Sequence, residues 1–513
     1  MKNVALYILA GLLGGLYALS FAPVPSGMLQ VSCLTGLLLL LSVVDKPVRA
    51  VWAFTVMWFC AGLYWLHFSM HDVGGLPIWM SVFAIVLLSL YLSSFYVLAV
   101  YMWRRFFVQR QLSSDLLAFP ALWTAAELAR GYLFGGFPWL ASGYAHIDNP
   151  ILRGWFAIFG VYGVGFLAVV FAGGMAFVAR QLFKKQRDTK ALMLTAVSML
   201  VMLGLGWAAR GLSWGEKSGA PISVSIVQPN VSQTIKFDEA EIIKNTHRFI
   251  DQSIKSNAQL TVFPETALPY PWTMVPEPML EPLQAALKDR VVLMGGVGVD
   301  AAKGEFYNSG MWLSGQGDIF NPPRYDKIHL LPFGEMVPWG FNWFIKMMNI
   351  PLGGYGYGVS RQPFELKTNG QTTRVGVNIC YENEFGEELI KAWAQGDAQA
   401  PNIWVNMTNL GWFGSVNQST AQQQHLYMSR ARALEMARPV IVATNTGLSA
   451  YIDAAGTVLN QLPADEASQS TVQVQGMTGL TPYVGWGNAP VLGFISFLFG
   501  LSVFLRHRQG MDI

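Results

Sequence analysis

Apolar and polar positions divide the chain into two unlike patterns. Long apolar runs dominate the first two hundred residues: Val4–Phe21, Met28–Val44, Val51–Met70, Ile78–Met102, Leu116–Phe134, Trp155–Leu182 and Leu192–Ala209. One more run, Ala489–Leu505, closes the chain. Each approaches the ~20 residues that cross the hydrocarbon of a bilayer. The pattern predicts an eight-helix transmembrane bundle, with residues 1–212 and 488–513 in the membrane region and 213–487 as a separate polar domain. The first run, with Lys2 ahead of it, also fits a cleaved signal peptide, but the runs that follow favour a first membrane helix.

Between 213 and 487 the period changes. Ile222–Val227, Leu260–Phe263, Val291–Val299, Ser309–Ser314, Asn402–Asn406 and Val440–Ala443 read as short buried strands. Glu239–Asn257, Leu280–Lys288, Glu384–Gln395 and Ala421–Ala437 have helical spacing. Strands that alternate with helices predict a layered α/β domain.

Charge orients this arrangement. Lys2, Lys46 and Arg49, Arg104 to Arg110, Lys184 to Lys190, and Arg506 and Arg508 fall in alternate connections. By the positive-inside rule both termini are cytoplasmic and the α/β domain lies outside, in the periplasm. Composition agrees with a membrane protein: 52% of the 513 residues are hydrophobic and 13% charged, against about 25% charged in soluble domains. A net charge of +3 with no basic run among aromatics excludes a nucleic-acid partner. The seven histidines are scattered, and neither a metal nor a cofactor is expected. Only three cysteines occur, too few for a disulfide framework, and Cys33 and Cys60 lie in apolar runs.

Cys380 is the cysteine in a polar setting. It ends the alternating stretch Val375, Val377, Ile379 and is followed by Tyr381-Glu382, so a strand would hold its thiol at a turn. A buried structural cysteine is the ordinary alternative. Two upstream stretches change that balance. Leu260-Thr-Val-Phe-Pro-Glu265 and Tyr325-Asp-Lys327-Ile-His-Leu-Leu-Pro-Phe-Gly-Glu335 each set ionisable residues beside an apolar run. Together they offer a base, a cation and a nucleophile.

The ordered set Glu265, Lys327 and Cys380 resembles the Glu-Lys-Cys triad of the nitrilase superfamily. With the membrane runs, the whole chain resembles the bacterial apolipoprotein N-acyltransferase family. The resemblance implies an αββα nitrilase-like sandwich for the polar domain. It implies that Cys380 takes an acyl chain from a phospholipid, phosphatidylethanolamine favoured, and passes it to the N-terminal amine of an S-diacylglyceryl-cysteine apolipoprotein. Glu265 would be the general base, and Lys327 with the Tyr381 backbone N–H the oxyanion donors. Glu335 and Glu382 are expected as supports. Trp139, Phe237, Asn308, Trp412 and Phe413 are expected to contact substrate, although an interfacial anchor is the commoner meaning of a Trp such as Trp139, and an Asn before a strand is often a turn residue. Glu127 and Arg130, three apart in the fifth run, can pair with each other. The apolar loops 267–274, 337–357 and 410–413 would face lipid, and the glycines Gly353 to Gly358 would let the second act as a lid. The implied enzyme is a monomer of the bacterial inner membrane. A membrane-anchored nitrilase-type amidohydrolase is the alternative, because hydrolysis and transfer share an acyl-enzyme.

Overall fold

The computed structural model describes residues 2–107, 114–183, 187–233, 235–236, 238–337, 340, 343, 354–368 and 370–507. The chain forms two compact units: residues 1–64, 79–213 and 482–513, and residues 65–78 and 214–481.

The first unit is helical: α1 (Lys2–Ala18), α2 (Gly27–Leu41), α3 (Pro47–Gly62), α4 (Ile78–Phe106), α5 (Phe119–Tyr132), α6 (Phe156–Leu182), α7 (Thr189–Arg210) and a C-terminal helix, Ala489–His507. Among the described residues, three helical stretches are long and apolar enough to cross a membrane, Ile78–Phe106, Leu152–Leu182 and Thr189–Arg210, or four if Pro47–Gly62 and Leu66–Val73, bent by 59°, count as one span. Helices α2, α3 and α5 are shorter than their apolar runs for local reasons. Ser26 caps α2 through its hydroxyl, which accepts from the Leu29 N–H, and Pro47 opens α3. The run Leu116–Phe134 begins in a π-helical turn, Ser114–Ala118, before α5. The run Val51–Met70 is broken at Leu63, and its remainder belongs to the second unit as the short turns Leu66–Phe68 and Ser69–Val73. Gly14 lets α1 and α3 touch, since a Cβ there would overlap the Phe54 backbone.

Glu127 and Arg130 are both buried, but they meet through a third residue. Arg130 Nε donates to the Tyr96 hydroxyl (3.0 Å), which reaches Glu127 Oε1 at 3.5 Å. Glu127 accepts from the Ser142 N–H at 3.1 Å, and Arg130 Nη1 donates to the carbonyls of Phe137 and Trp139 at 2.6 and 2.8 Å. The pair fastens the loop after α5.

The second unit is built on two six-stranded sheets. In chain order the strands are β1 (Glu216–Lys217), β2 (Ile222–Gln228), β3 (Leu260–Val262), β4 (Val291–Asp300), β5 (Glu305–Ser314), β6 (Arg324–Asp326), β7 (Phe364–Thr368), β8 (Gln371–Ile379), β9 (Ile403–Thr408), β10 (Val440–Thr444), β11 (Ala450–Ile452), β12 (Val458–Gln461), β13 (Ser468–Val474) and β14 (Met477–Thr478). One sheet runs β13-β2-β3-β4-β5-β6, the other β12-β11-β10-β9-β8-β7, and β1 pairs with β14. Val224, Val262 and Leu293 of the first sheet share a core with Val377, Val405 and Ile441 of the second. On the outer face, Val292, Met294 and Leu313 pack under α8 (Glu239–Lys255) and α9 (Glu277–Leu287) through Phe249, Leu280 and Leu283. Strands covered on both faces read as near-continuous apolar runs. Helix α10 (Ala421–Met436) covers the second sheet beside β10, completing four layers in the order helix, sheet, sheet, helix.

Asn308 departs from expectation. It lies inside β5, opposite Val297, because the antiparallel β4–β5 pairing continues to Asp300 and Glu305.

Candidate active site

Three strand ends from the two sheets supply the ionisable groups. Cys380 follows Ile379 at the end of β8 and adopts φ +50°, a left-handed conformation rare for a residue with a Cβ. That turn starts a short 3₁₀ segment, Cys380–Glu384, and swings the sulfur off the strand. Lys327 follows β6 directly, its N–H donating to the Asn308 carbonyl at 2.9 Å. Glu265 leaves β3 through Phe263-Pro264, with Thr266 at φ +51°. This turn crosses β4 at Gly295, where a Cβ would stand 2.5 Å from the Pro264 carbonyl and the Thr266 nitrogen. Glycine is therefore required beneath Glu265.

Lys327 sits between two carboxylates. Its Nζ is 2.7 Å from Glu335 Oε2 and 3.5 Å from Glu265 Oε1. Asn308 Nδ2 spans the same pair, 2.8 Å from Glu265 Oε1 and 2.6 Å from Glu335 Oε1. The Leu331 N–H holds Glu335 Oε2 at 2.8 Å. All four side chains are buried. Burial pushes the Glu265 carboxyl up, ahead of the opposing pull of Lys327, and Glu335 adds to the rise. For Lys327 burial works against the charge, but Glu335 and Glu265 together outweigh it and hold the ammonium protonated. The segment Gly354–Gly358 closes over this cluster: the Gly354 N–H donates to the Glu335 carbonyl (3.0 Å) and the Gly358 N–H to that of Lys327 (2.8 Å). Burial, with Glu335 and Glu265 behind it, pushes the Tyr355 phenol up to about 12.

Cys380 is half-buried. Burial and the Glu265 charge push its thiol up to about 12, against the pull of Lys327. The Thr408 hydroxyl lies beside it, otherwise without a partner among the described residues. His425 Nε2 donates to the Cys380 carbonyl at 3.4 Å, and burial keeps this imidazole neutral by lowering its pKa to about 4. Glu382 is fully buried and ties two of the strand ends together. It accepts from the N–H groups of Ile328 (2.9 Å) and Ile379 (2.8 Å) and from the Tyr325 hydroxyl (2.8 Å), while Arg361 Nη2 lies at 3.3 Å. One carboxylate thus fixes the Lys327 loop relative to the Cys380 turn.

Of the expected site residues, Glu265, Lys327, Glu335 and Asn308 come together directly, and Cys380 shares their electrostatic field. The Tyr381 ring is buried 5.6 Å from that of His329 and 5.2 Å from that of Phe385, centroid to centroid. Trp412 and Phe413 are half-buried on the turn Leu410–Phe413, where the Phe413 ring packs against Trp65 at 4.6 Å. Trp139 is buried in the helical unit. Phe237, and most of the apolar loop 337–357, lie outside the described residues. Sequence reading missed Thr408, His425 and the buried Lys236, none of which belongs to a pattern. It also missed a spacing that was visible: His67 and His71 are four apart, and with Asp72 they bring three ligand-type atoms within 4.8 Å of one another.

A nucleophile, a raised carboxyl base and a fixed ammonium suit acyl transfer through a covalent thioester. Comparison with known proteins points the same way. A family model described as the apolipoprotein N-acyltransferase N-terminal domain matches residues 13–174, and the carbon-nitrogen hydrolase model matches residues 223–483. The apolipoprotein N-acyltransferase of Ralstonia nicotianae is 38% identical over 98% of this chain and 94% of its own length. That of Bordetella bronchiseptica is 35% identical over 94% of each chain. Among solved structures, a CN-hydrolase superfamily protein from Xanthomonas campestris aligns with 54% of this chain and 97% of its own, at 15% identity and a TM-score of 0.37.

Proposed function

The chain belongs to the apolipoprotein N-acyltransferase family, and on that premise we propose that Cys380 carries an acyl group from a membrane phospholipid to the N-terminal amine of a diacylglyceryl-modified apolipoprotein. The observation that carries this reading is the convergence of Glu265 and Lys327, 3.5 Å apart, in the field of a thiol held at a left-handed strand end.

In the first half-reaction Glu265 takes the thiol proton as sulfur attacks the ester carbonyl. The negative charge that develops on oxygen is met by Lys327 Nζ and the Tyr381 backbone N–H. The C–O bond then breaks, Glu265 returns the proton to the departing oxygen, and lysophospholipid leaves a thioester on Cys380. In the second half the neutral amine attacks that thioester, Glu265 accepts its proton, and the C–S bond breaks to give an amide and the restored thiol. The order is ping-pong, because one sulfur serves donor and acceptor in turn. Glu265 is suited to both halves because burial raises its carboxyl above the ordinary carboxylate range, where it can both accept and return a proton. Lys327 stays charged throughout, consistent with a donor to oxygen rather than a base. Glu335, Asn308 and Glu382 hold these groups in register, and Trp412 and Phe413 would contact the acyl chain.

Charge and hydropathy support the topology proposed here, and the family resemblance the donor, the membrane and the monomer. The protein is a monomer in the bacterial inner membrane with eight spans, both termini cytoplasmic, the domain 213–487 periplasmic, and phosphatidylethanolamine as preferred donor. The test is a transfer assay with phospholipid and a diacylated lipopeptide in detergent. Triacylated peptide and lysophospholipid in equal amounts, both lost in Cys380→Ala, support the reading. Free fatty acid without amide product would instead establish a hydrolase.

A further inference from the structure

Lys236 is a charged side chain near the catalytic cluster that the proposed chemistry leaves unused. Its side chain is 3% exposed and borders a cavity. A cation drawn partly out of water favours an anionic neighbour. Burial lowers its pKa only to about 8, so at neutral pH most of the population still carries the charge. That charge lines a cavity between α8 and the strand ends, together with Arg248, Asn245, Phe249, Phe263 and Asn445. The lining carries two cations and no carboxylate. Phe263 and Ala267, which flank the Glu265 turn, form one wall, and the Lys236 charge acts on Glu265 itself. The loop that bears Lys236 is anchored: Gln233 and Asn409 exchange two amide hydrogen bonds at 3.0 and 3.1 Å, and Asn445 Nδ2 donates to Asn409 Oδ1 at 3.2 Å.

We propose that Lys236 and Arg248 form an anion subsite next to the catalytic centre that receives the phosphodiester of the acyl donor. The inference rests on the acyl-transfer reading above. An anion there would meet both cations of the lining, Lys236 from within and Arg248, exposed on α8, from the open side. The subsite would let the enzyme favour a phospholipid over a neutral diacylglycerol carrying the same chains.

Two measurements on the full-length protein test this. The first compares acylation of Cys380 by phosphatidylethanolamine and by diacylglycerol in the wild type, Lys236→Met, Lys236→Arg and Arg248→Met. Loss of a charge-assisted contact should lower the phospholipid-to-diacylglycerol ratio of kcat/KM about tenfold or more in Lys236→Met, less in Arg248→Met, with recovery in Lys236→Arg. An equal fall with both donors would overturn the proposal and make Lys236 a residue acting through Glu265. An unchanged ratio would overturn it as well. The second follows binding of glycerophosphoethanolamine and of inorganic phosphate by phosphorus NMR. Binding of the diester that Lys236→Met abolishes supports the subsite even if no acyl transfer is found, which separates its fate from that of the proposed function. Binding of inorganic phosphate alone, or of neither, contradicts it.

Discussion

The resting Cys380 is a thiol. With its pKa pushed up to about 12 by burial and by Glu265, a preformed thiolate–ammonium pair with Lys327 is a minor species, and proton removal must accompany attack. Alkylation by iodoacetamide in the absence of donor should therefore be slow at neutral pH and keep rising with pH to at least pH ~9, without the levelling expected of an ordinary thiol of pKa ~8.5. A plateau near neutral pH would contradict this. The proposed base, Glu265, makes a second prediction. Glu335 raises the Glu265 pKa by repulsion, so Glu335→Gln removes an upward push and also frees Lys327 to pair with Glu265. Both effects have the same sign: the acid limb of the pH–rate profile for acylation should move to lower pH while the maximal rate falls. At this scale the sequence was most legible for Glu265, Lys327 and Cys380, each lying in a short recognisable string. Asn308 was undervalued because its role depends on one amide spanning two carboxylates that lie 43 and 27 positions away in the chain. Lys236 was invisible because nothing in a sequence marks a lysine as buried beside a cavity.

At the scale of elements, what matters is how strand ends are held. Gly295→Ala would force the Glu265 turn off β4. A displacement of about 1 Å in a catalytic group costs on the order of 10²-fold in rate, and that loss should appear in acylation with little change in thermal unfolding. Glu382 has the opposite profile. Truncating one partner of a buried ion pair costs about 3–5 kcal/mol, and Glu382→Ala also strands the N–H groups of Ile328 and Ile379. It should lower the unfolding midpoint together with activity, whereas Glu382→Gln should recover part of the stability. The strand alternation Val375, Val377, Ile379 announced β8 because one face is buried in the inter-sheet core. Helix ends were harder to read, because apolar runs continue through Leu63 and Leu116 where the backbone breaks or widens into a π turn.

For the whole molecule, the two patterns of hydropathy correspond to two different solvents. Among the described residues, the helices that satisfy length and composition are Ile78–Phe106, Leu152–Leu182 and Thr189–Arg210, with the bent pair Pro47–Gly62 and Leu66–Val73 a fourth if it counts as one span. The remaining apolar helices are shorter, so the proposed eight-span arrangement rests on the charge asymmetry of the connections. Reporter fusions test it: an alkaline phosphatase fused after Ser218 should be active, and one fused after Arg105 inactive, whereas the reverse would invert the topology.

The central claim is that Cys380 holds an acyl chain drawn from a phospholipid. Its most direct test is intact-mass spectrometry of the purified protein after incubation with phospholipid alone. The account predicts a mass increase of one acyl chain on Cys380, removed by neutral hydroxylamine, absent in Cys380→Ser, and discharged when a diacylated lipopeptide is added. No adduct from any phospholipid, alongside turnover of a small amide by the same preparation, would contradict it.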